Sequence, residues 1–414
     1  MQRKFGELLK AHRVKRGATQ RQLADLSTVS IRAIRDLESG RAHRPRRDTV
    51  RLIADGLGLR GRERADFESV AGSRATADHL RLIYDREPAP PPAPLDALLG
   101  REDEVSLVHE LLGSGSHRLV TVTGLSGVGK SRLAQEIAAE IHESHGVFVL
   151  WSSAADEQDR LADPLAALLR TGTGDTDELA VLIGDRPTLL VLDGHEPAAL
   201  RLDRVVTLLR ECRRLRVLAT AHTPFELAGE RVFPLAPLAV PEPGIDDLPA
   251  LAAVPSVRFL LREIRQVQPG FALDGGTAAT VAELCRLLDG IPAALEAAAC
   301  WFLVYEPAAV LDSVRTDPFG LTEDRLPGLR VMLDQAVRGL DATGTSVLVR
   351  LTGLDTDWSM TDVIRLTGVP AAVCARLVRR LLLHGLVRPA DAGGTRFRAL
   401  DLVKALHLDR QLAA

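Results

Sequence analysis

A chain of 414 residues is about three times a typical domain, so two or three domains are expected. With 46% hydrophobic and 26% charged residues, wholesale disorder is excluded. The net charge of -3 hides an asymmetry, because residues 1–64 carry 17 Lys/Arg against 7 Asp/Glu and leave 35 against 48 for the rest. A basic first module on an acidic body fits nucleic-acid binding, with a merely solvated charged face as the competing reading. No apolar run approaches the roughly 18 residues of a membrane span. The charged start, MQRKFGELLK, has no signal-peptide core, so a cytoplasmic protein without membrane partners is expected. Cys212, Cys285, Cys300 and Cys374 are scattered and form no C-x-x-C pair, which points to buried thiols rather than disulfides or zinc.

In chain order, Phe5, Leu8, Leu9 and His12 share one face of a first helix. Thr19 caps a second, since its hydroxyl can accept a free amide of the first turn. Ser30 caps a third over 31–38, which ends at Gly40, and Thr49 caps a fourth over 50–57. A fifth helix is expected over 61–70. Residues 73–96, with Pro88, Pro90, Pro91, Pro92 and Pro94, read as a semi-rigid polyproline spacer. From Leu98 onward, buried strands over 118–124, 146–152, 187–194 and 215–222 alternate with helical stretches such as 131–141. That alternation predicts a parallel sheet with helices on both faces. After about residue 245 the pattern is helical, closing with a two-stranded element over 386–400 that turns at Gly393-Gly394.

The stretch TQRQLADLSTVSIRAIRDLESG (19–40) resembles the helix-turn-helix of the lambda-repressor/Cro (XRE) class. In that reading Leu23, Ala24, Val29, Ile34 and Leu37 pack the helix pair. The second helix then turns Ser30, Ile31, Arg32, Arg35 and Asp36 to the major groove of double-stranded DNA. Arginine can pair bidentately with guanine, while Gln20 is placed for a phosphate. Arg41, Arg44, Arg46 and Arg47 would follow the DNA backbone electrostatically. Thr28 stands where the class usually has glycine, which predicts a strained turn.

GLSGVGKS (124–131) fits G-x-x-x-x-G-K-[ST], between an apolar strand and an amphipathic helix. Gly124, Gly127 and Gly129 let the loop wrap phosphate, Lys130 neutralises it, and the Ser131 hydroxyl ligates Mg²⁺. Arg132 follows as a further candidate for nucleotide contact. Asp193 ends the strand LLVLD and suits a second Mg²⁺ ligand. Glu196 is a candidate to orient an attacking water, with a solvated surface carboxylate as the other reading.

Further segments extend the resemblance. LLGREDEV (98–105), LRVLATAH (215–222), LLDGIPAALEAAA (287–299) and RFRALDLVKAL (396–406) resemble four segments of the NB-ARC (STAND) ATPases. The resemblance spans about 98–410 and implies adenine contacts at Gly100, Arg101 and Pro292, an acidic position at Asp401, and ATP or ADP with Mg²⁺ as cofactor. Joined to the first domain, the whole resembles an actinobacterial NB-ARC transcriptional regulator. The chain departs from that pattern at Gly194, at His222 in place of a sensor arginine, and at Leu400 in place of a phosphate-contacting histidine. At most a slow regulatory ATPase is therefore expected. The family's repeat array is expected to be missing or supplied by a separate sensor protein.

The implied organisation is a multidomain one. An all-α helix-turn-helix domain (1–72) and a proline-rich linker (73–96) precede an α/β P-loop domain with a parallel sheet (97–244), a helical lid (245–324) and a winged helix (325–414). The expected function is nucleotide-gated, sequence-specific binding of promoter or operator DNA, controlled by homo-oligomerisation. The alternative is a STAND ATPase of a defence or signalling assembly that binds nucleic acid without sequence preference.

Overall fold

The computed structural model describes residues 5–42, 45, 47–60, 63–64, 67, 91–92, 96–113, 116–154, 169, 176–245, 247–321, 329–354, 356–390 and 393–412. Two compact units emerge. The first takes in the chain up to Pro90 with Val147–Leu190 and Ala198–Arg216; the second takes in Pro91–Gly146, Val191–Pro197 and Val217–Ala414.

The first unit opens with helices α1 (Phe5–Lys15), α2 (Gln20–Ser27), α3 (Ile31–Glu38) and α4 (Arg47–Gly56). Thr19 caps α2 as expected: its hydroxyl accepts from the Gln22 amide, while the Gln22 side chain accepts from the Thr19 amide. Ser30 caps α3 by accepting from Ala33 N at 3.2 Å. The turn between them is left-handed at Thr28, with φ 56°, so the expected strain at a β-branched residue is present. Leu9, Leu23, Ile34 and Ile53 are fully buried and join Phe5, Leu37, Val50 and Phe67 in one small core. The fourth helix starts three residues earlier than expected, so Thr49 lies inside it and Asp48 stands in its first turn. An acidic residue there offsets the positive end of the helix dipole, which explains the earlier start. The expected fifth helix and most of the proline-rich spacer lie outside the described residues. This unit also holds β2 (Phe148–Ser153), α7 (Thr176–Ile183) and α8 (Leu202–Glu211).

The second unit contains α5 (Glu102–Gly113), β1 (Leu119–Thr123), α6 (Lys130–His145), β4 (Leu215–Ala221) and β5 (Glu230–Pro234). β1 runs parallel to β4 on one side, with Leu119 opposite Val217, and parallel to β5 on the other, with Leu119 opposite Glu230. The edge strand β5 was not foreseen, because ERVFP is short, charged and only half-buried. With β3 (Thr188–Asp193), the strand order is β2-β3-β4-β1-β5. β1 thus has chain-distant neighbours on both sides, the arrangement that opens a crevice at the carboxyl end of a parallel sheet.

After β5 come α9 (Leu248–Ala253), α10 (Pro255–Val267), α11 (Ala278–Leu287), α12 (Pro292–Cys300), α13 (Pro307–Thr316) and α14 (Leu329–Arg338). The chain closes through α15 (Ala342–Thr352), β6 (Trp358–Ser359), α16 (Met360–Thr367), α17 (Ala371–Leu383), β7 (Val387–Pro389), β8 (Arg396–Ala399) and α18 (Asp401–Leu412). The foreseen hairpin is β7–β8, antiparallel with Val387 opposite Ala399. It gains a third strand, β6, which pairs with β8 through Trp358 and Phe397. One apolar core runs from Leu251 through Leu295 and Leu333 to Leu381 and Leu402, and Leu125 of the glycine-rich loop belongs to it. Burying a leucine in this way contributes about 1.5–3 kcal/mol. Among the described residues no helix is long and apolar enough to cross a membrane.

Candidate functional site

The loop 124–129 leaves the carboxyl end of β1 and enters α6 at Lys130. Gly124, Gly127 and Gly129 take φ of 150°, 75° and 103°, a region closed to most side chains. At Gly127 a methyl group would also lie 2.8 Å from the Ala293 Cβ, because the first turn of α12 packs on the loop. Ala293 N donates to Gly127 O at 3.2 Å, so loop and helix are joined by backbone.

The Lys130 side chain is nearly enclosed, at 9% exposure. Its ammonium donates to Gly124 O at 2.9 Å and Leu125 O at 2.8 Å. Burial pushes its pKa down to about 8 against the opposing pull of the Glu196 and Asp193 carboxylates. A buried cation satisfied only by carbonyl dipoles favours an anion that brings its own negative charge. Beside it is a cavity of about 500 Å³, walled in part by Gly127, Gly129, Lys130, Ser131 and Arg132. That volume falls within the usual range for small-molecule sites. The residues present thus fit a phosphate-bearing nucleotide, and the Ser131 hydroxyl and Asp193 carboxylate are hard oxygen donors of the kind Mg²⁺ takes.

At the end of β3, Asp193 is buried and accepts from the Thr220 hydroxyl at 2.7 Å. Thr220 in turn accepts from Gly194 N at 2.7 Å, which locks β3 to β4. Asp193 stands behind the cavity wall, which Gly194, Glu196, Thr220 and His222 form here. Glu196 accepts from the His222 amide at 3.0 Å, and its carboxylate meets Nδ1 of the same residue at 2.5 Å. Burial pushes the Glu196 carboxyl up, but the hydrogen bonds and charge of His222, with Lys130 behind them, hold it below its ordinary value. It is a carboxylate on the wall, tethered to His222 and with its side chain 40% exposed.

The cavity wall also takes in Leu98, Leu99, Phe259 and Pro292 with the ion pair Arg262–Glu263 at 2.8 Å. The Arg262 guanidinium lies 4.9 Å from the Phe259 ring centroid and donates to Ala97 O at 2.8 Å. Arg101 also lines the cavity, yet its donors are already engaged with Glu104 (2.7 Å), Ala236 O (2.6 Å) and Val128 O (3.2 Å). Burial pushes its pKa down and Glu104 counters this. Arg132 pairs with Glu136 at 2.9 Å and donates to Asp96 O. Gly100, Gly124 and Asp401 are not on the cavity wall; Gly100 packs on Pro255, and Gly124 serves through its carbonyl. Asp401 sits at the start of α18 and pairs with Lys404 at 2.8 Å. Phe259, Arg262, Glu263 and Thr220 were not singled out from sequence. Only Thr220 carried a signal, as a polar residue near the carboxyl end of a buried strand.

On the helix-turn-helix, α3 buries Ile34 and Leu37 and exposes Ser30, Ile31, Arg32 and Arg35. The Arg32 side chain is 92% exposed and lies 3.9 Å from the half-buried Asp36. Gln20 does not point its amide outward, since it donates to Glu38 at 2.8 Å. The same carboxylate holds Arg13 at 2.6 and 2.8 Å. Arg41 is exposed. Arg44, Arg46 and the side chain of Arg47 lie outside the described residues.

Comparison with known proteins identifies two domain families along the chain. The helix-turn-helix domain family matches residues 4–67, and the AAA ATPase domain family matches residues 97–232. The chain therefore carries a helix-turn-helix domain and an ATPase domain of nucleotide-binding type. An uncharacterized protein of Mycobacterium tuberculosis is 34% identical over 224 residues, 52% of this chain and 53% of that protein. A second protein of the same organism, provisionally named an HTH-type transcriptional regulator, is 31% identical over 316 residues, 71% of this chain and 34% of that protein. The chain thus spans about half and about a third of the length of these relatives. A signal-transduction ATPase with a tetratricopeptide-repeat sensor from Pyrococcus horikoshii aligns over 76% of this chain and 43% of its own, with 16% identity and a TM-score of 0.31. A likeness that low carries no argument.

Proposed function

We propose that this chain is a nucleotide-gated, sequence-specific DNA-binding regulator of transcription, of the NB-ARC (STAND) kind with an XRE-type helix-turn-helix. The observation that carries the reading is the buried Lys130 ammonium, held by two loop carbonyls at the edge of a cavity of nucleotide size. The basic helix pair with its exposed arginines supplies the output. The proposed division is 1–72 for DNA binding, 97–244 for the nucleotide, 245–324 for the lid and 325–414 for a winged helix, in a cytoplasmic protein. The three-stranded sheet β6-β8-β7 with α16 and α17 supports the last of these.

In this reading Lys130 exchanges its carbonyls for the β- and γ-phosphates of ATP or the β-phosphate of ADP. Ser131 and Asp193 hold Mg²⁺, which supplies charge neutralisation when bound. Phe259, Arg262 and Pro292 enclose the base. Glu196 orients water only as far as its bonds to His222 allow, so hydrolysis is slow. His222 gives the γ-phosphate no fixed cation, unlike an arginine. ATP and ADP can gate the chain only by unequal contacts in two arrangements of the lid and the C-terminal helices. A single helix-turn-helix binds weakly and operators pair two copies, so gating acts through self-association.

Sedimentation with ATP, with ADP and without nucleotide tests the reading, beside footprinting of wild type and Lys130→Ala on promoter DNA. A nucleotide-dependent mass and a discrete footprint lost in the variant are expected. One mass in all three conditions defeats the gating. DNA-stimulated turnover without a footprint favours the assembly ATPase instead.

A further inference from the structure

Helix α18 has no cap of its own. The first amides of an α-helix find no partner inside it and need an acceptor from elsewhere. In front of α18 stands Leu400, fully buried and apolar, with no side-chain acceptor to offer. The acceptor comes instead from Asp289, 112 residues before Asp401 in the chain. One carboxylate oxygen accepts from Asp401 N at 2.9 Å and the other from Leu402 N at 2.8 Å. The first turn of α18 therefore has two conditions, capped from outside or open at its end.

Asp289 belongs to a short segment with little slack. Asp289 and Gly290 are both left-handed, at φ 53° and 65°. A methyl group on Gly290 would lie 2.2 Å from Leu238 O, and Gly290 O accepts from Leu238 N at 3.0 Å. Leu288 before them and Ile291 after them are fully buried. The next two residues, Pro292 and Ala293, are on the cavity wall. Ala293 N donates to Gly127 O at 3.2 Å. Residues 289–293 thus reach from a carbonyl of the glycine-rich loop to the amides of α18, with hydrogen bonds at both ends and in the middle. Asp289 itself is not on the cavity wall.

We propose that segment 289–293 carries the state of the nucleotide cavity to the first turn of α18, with Asp289 as the positioning residue at its far end. The inference rests on the nucleotide reading above and deepens it, since it names the path from the cavity to the C-terminal helices. The path ends on an element with two states: the amides of Asp401 and Leu402 are either bonded to Asp289 or open. Pro292 and Ala293 meet the loop and the cavity at once, so an occupied cavity removes what play the segment has and holds the Asp289 carboxylate at α18. Coupling of this kind is reciprocal, so the cap also acts back on the cavity. A chain without the cap binds nucleotide more weakly, although residue 289 lies off the wall.

Hydrogen exchange of the full chain with Mg²⁺, with and without ADP or ATP, reads the cap directly. The amides of Asp401 and Leu402 should exchange about fivefold more slowly with nucleotide in wild type. In Asp289→Ala they should exchange fast and equally in both conditions, and a fluorescent adenine nucleotide should bind about fivefold more weakly. Asp289→Asn, whose amide oxygen still caps a helix, should restore most of both. Asp401→Pro removes one donor from the other side and suits the first position of a helix, so it should weaken nucleotide binding in a folded chain. A merely structural cap would protect the two amides without making their exchange depend on nucleotide. Nucleotide-independent exchange at 401–402 in wild type, or unchanged nucleotide binding in both Asp289→Ala and Asp401→Pro, overturns the relay and leaves the nucleotide reading standing. If the fluorescent nucleotide does not bind wild type, both fall together.

Discussion

The carboxylate of Asp289 caps the helix that begins at Asp401: it accepts from Asp401 N at 2.9 Å and from Leu402 N at 2.8 Å. Asp289 is fully enclosed and takes a left-handed φ of 53°, so the backbone is strained to make this contact. Burial, then the nearby Asp401 charge, push its pKa up to about 7, although the two amides and Arg388 favour the anion. The folded state therefore holds a proton that the unfolded chain releases near the ordinary 3.8. Stability contributed by this group is greatest below about 4 and declines as pH rises toward about 7. Thermal unfolding of Asp289→Asn should lack that decline, which the difference from wild type between pH 5 and pH 7.5 measures. Asp289→Ala leaves two helix amides without an acceptor and should cost about 1–3 kcal/mol at either pH.

Lys130 is penalised by its own burial while nothing anionic is bonded to it. Lys130→Met keeps the volume and removes the charge. It should raise the melting temperature of the nucleotide-free chain, by a ΔΔG on the order of 1 kcal/mol. It should also abolish the stabilisation that ATP or ADP gives the wild type. Scanning calorimetry with and without nucleotide reads both effects. A variant less stable than wild type in the free state would show that the carbonyl bonds outweigh the cost of burying the ammonium.

Much of this was legible in the chain itself. The strands ending at Thr123, Asp193 and Ala221 announce themselves as apolar runs, and the loop between β1 and α6 by its glycine spacing. The caps at Thr19 and Ser30 and the strained turn at Thr28 follow from hydroxyl chemistry and from the missing glycine. Other features had no local signal. Strand β5 is five residues long, with only Val232 and Phe233 between charged residues and a proline, and owes its place to backbone pairing with β1. Strand β6 is two residues long and exists through its partner Phe397. The cavity wall draws Phe259 and Arg262 from the middle of α10, far from any motif, and tertiary packing alone brings them beside the same cavity as Pro292.

The exposed face of α3 separates two kinds of DNA contact. Arg32 has nothing but a 3.9 Å approach to Asp36 to hold it, so it is free to reach a base edge. Arg32→Ala should relax preference at one base position and cost about 1–3 kcal/mol on the preferred sequence alone. Arg41→Ala, beyond the helix, should weaken binding to all sequences alike and lower the slope of log K against log salt by about 1. Titration of wild type and both variants against specific and scrambled duplexes at several salt concentrations distinguishes them. A uniform loss for Arg32→Ala would move that residue from base reading to the phosphate backbone.

Glu196 and His222 form a pair whose purpose binding and turnover can separate. The carboxylate takes both the amide and the ring nitrogen of His222, and Lys130 adds its charge from the loop. If the anion orients water, Glu196→Gln keeps the shape but loses the base, and single-turnover hydrolysis should fall by about 10²-fold with nucleotide affinity little changed. His222→Ala frees the same carboxylate from its tether. Both bonds fall on Oε1, so the tether fixes the direction of the carboxylate while Oε2 keeps its acceptor sites; if that direction is unproductive for a water, turnover in His222→Ala should rise above wild type. Should it fall instead, as in Glu196→Gln, His222 is holding Glu196 in its working position, and turnover is limited elsewhere.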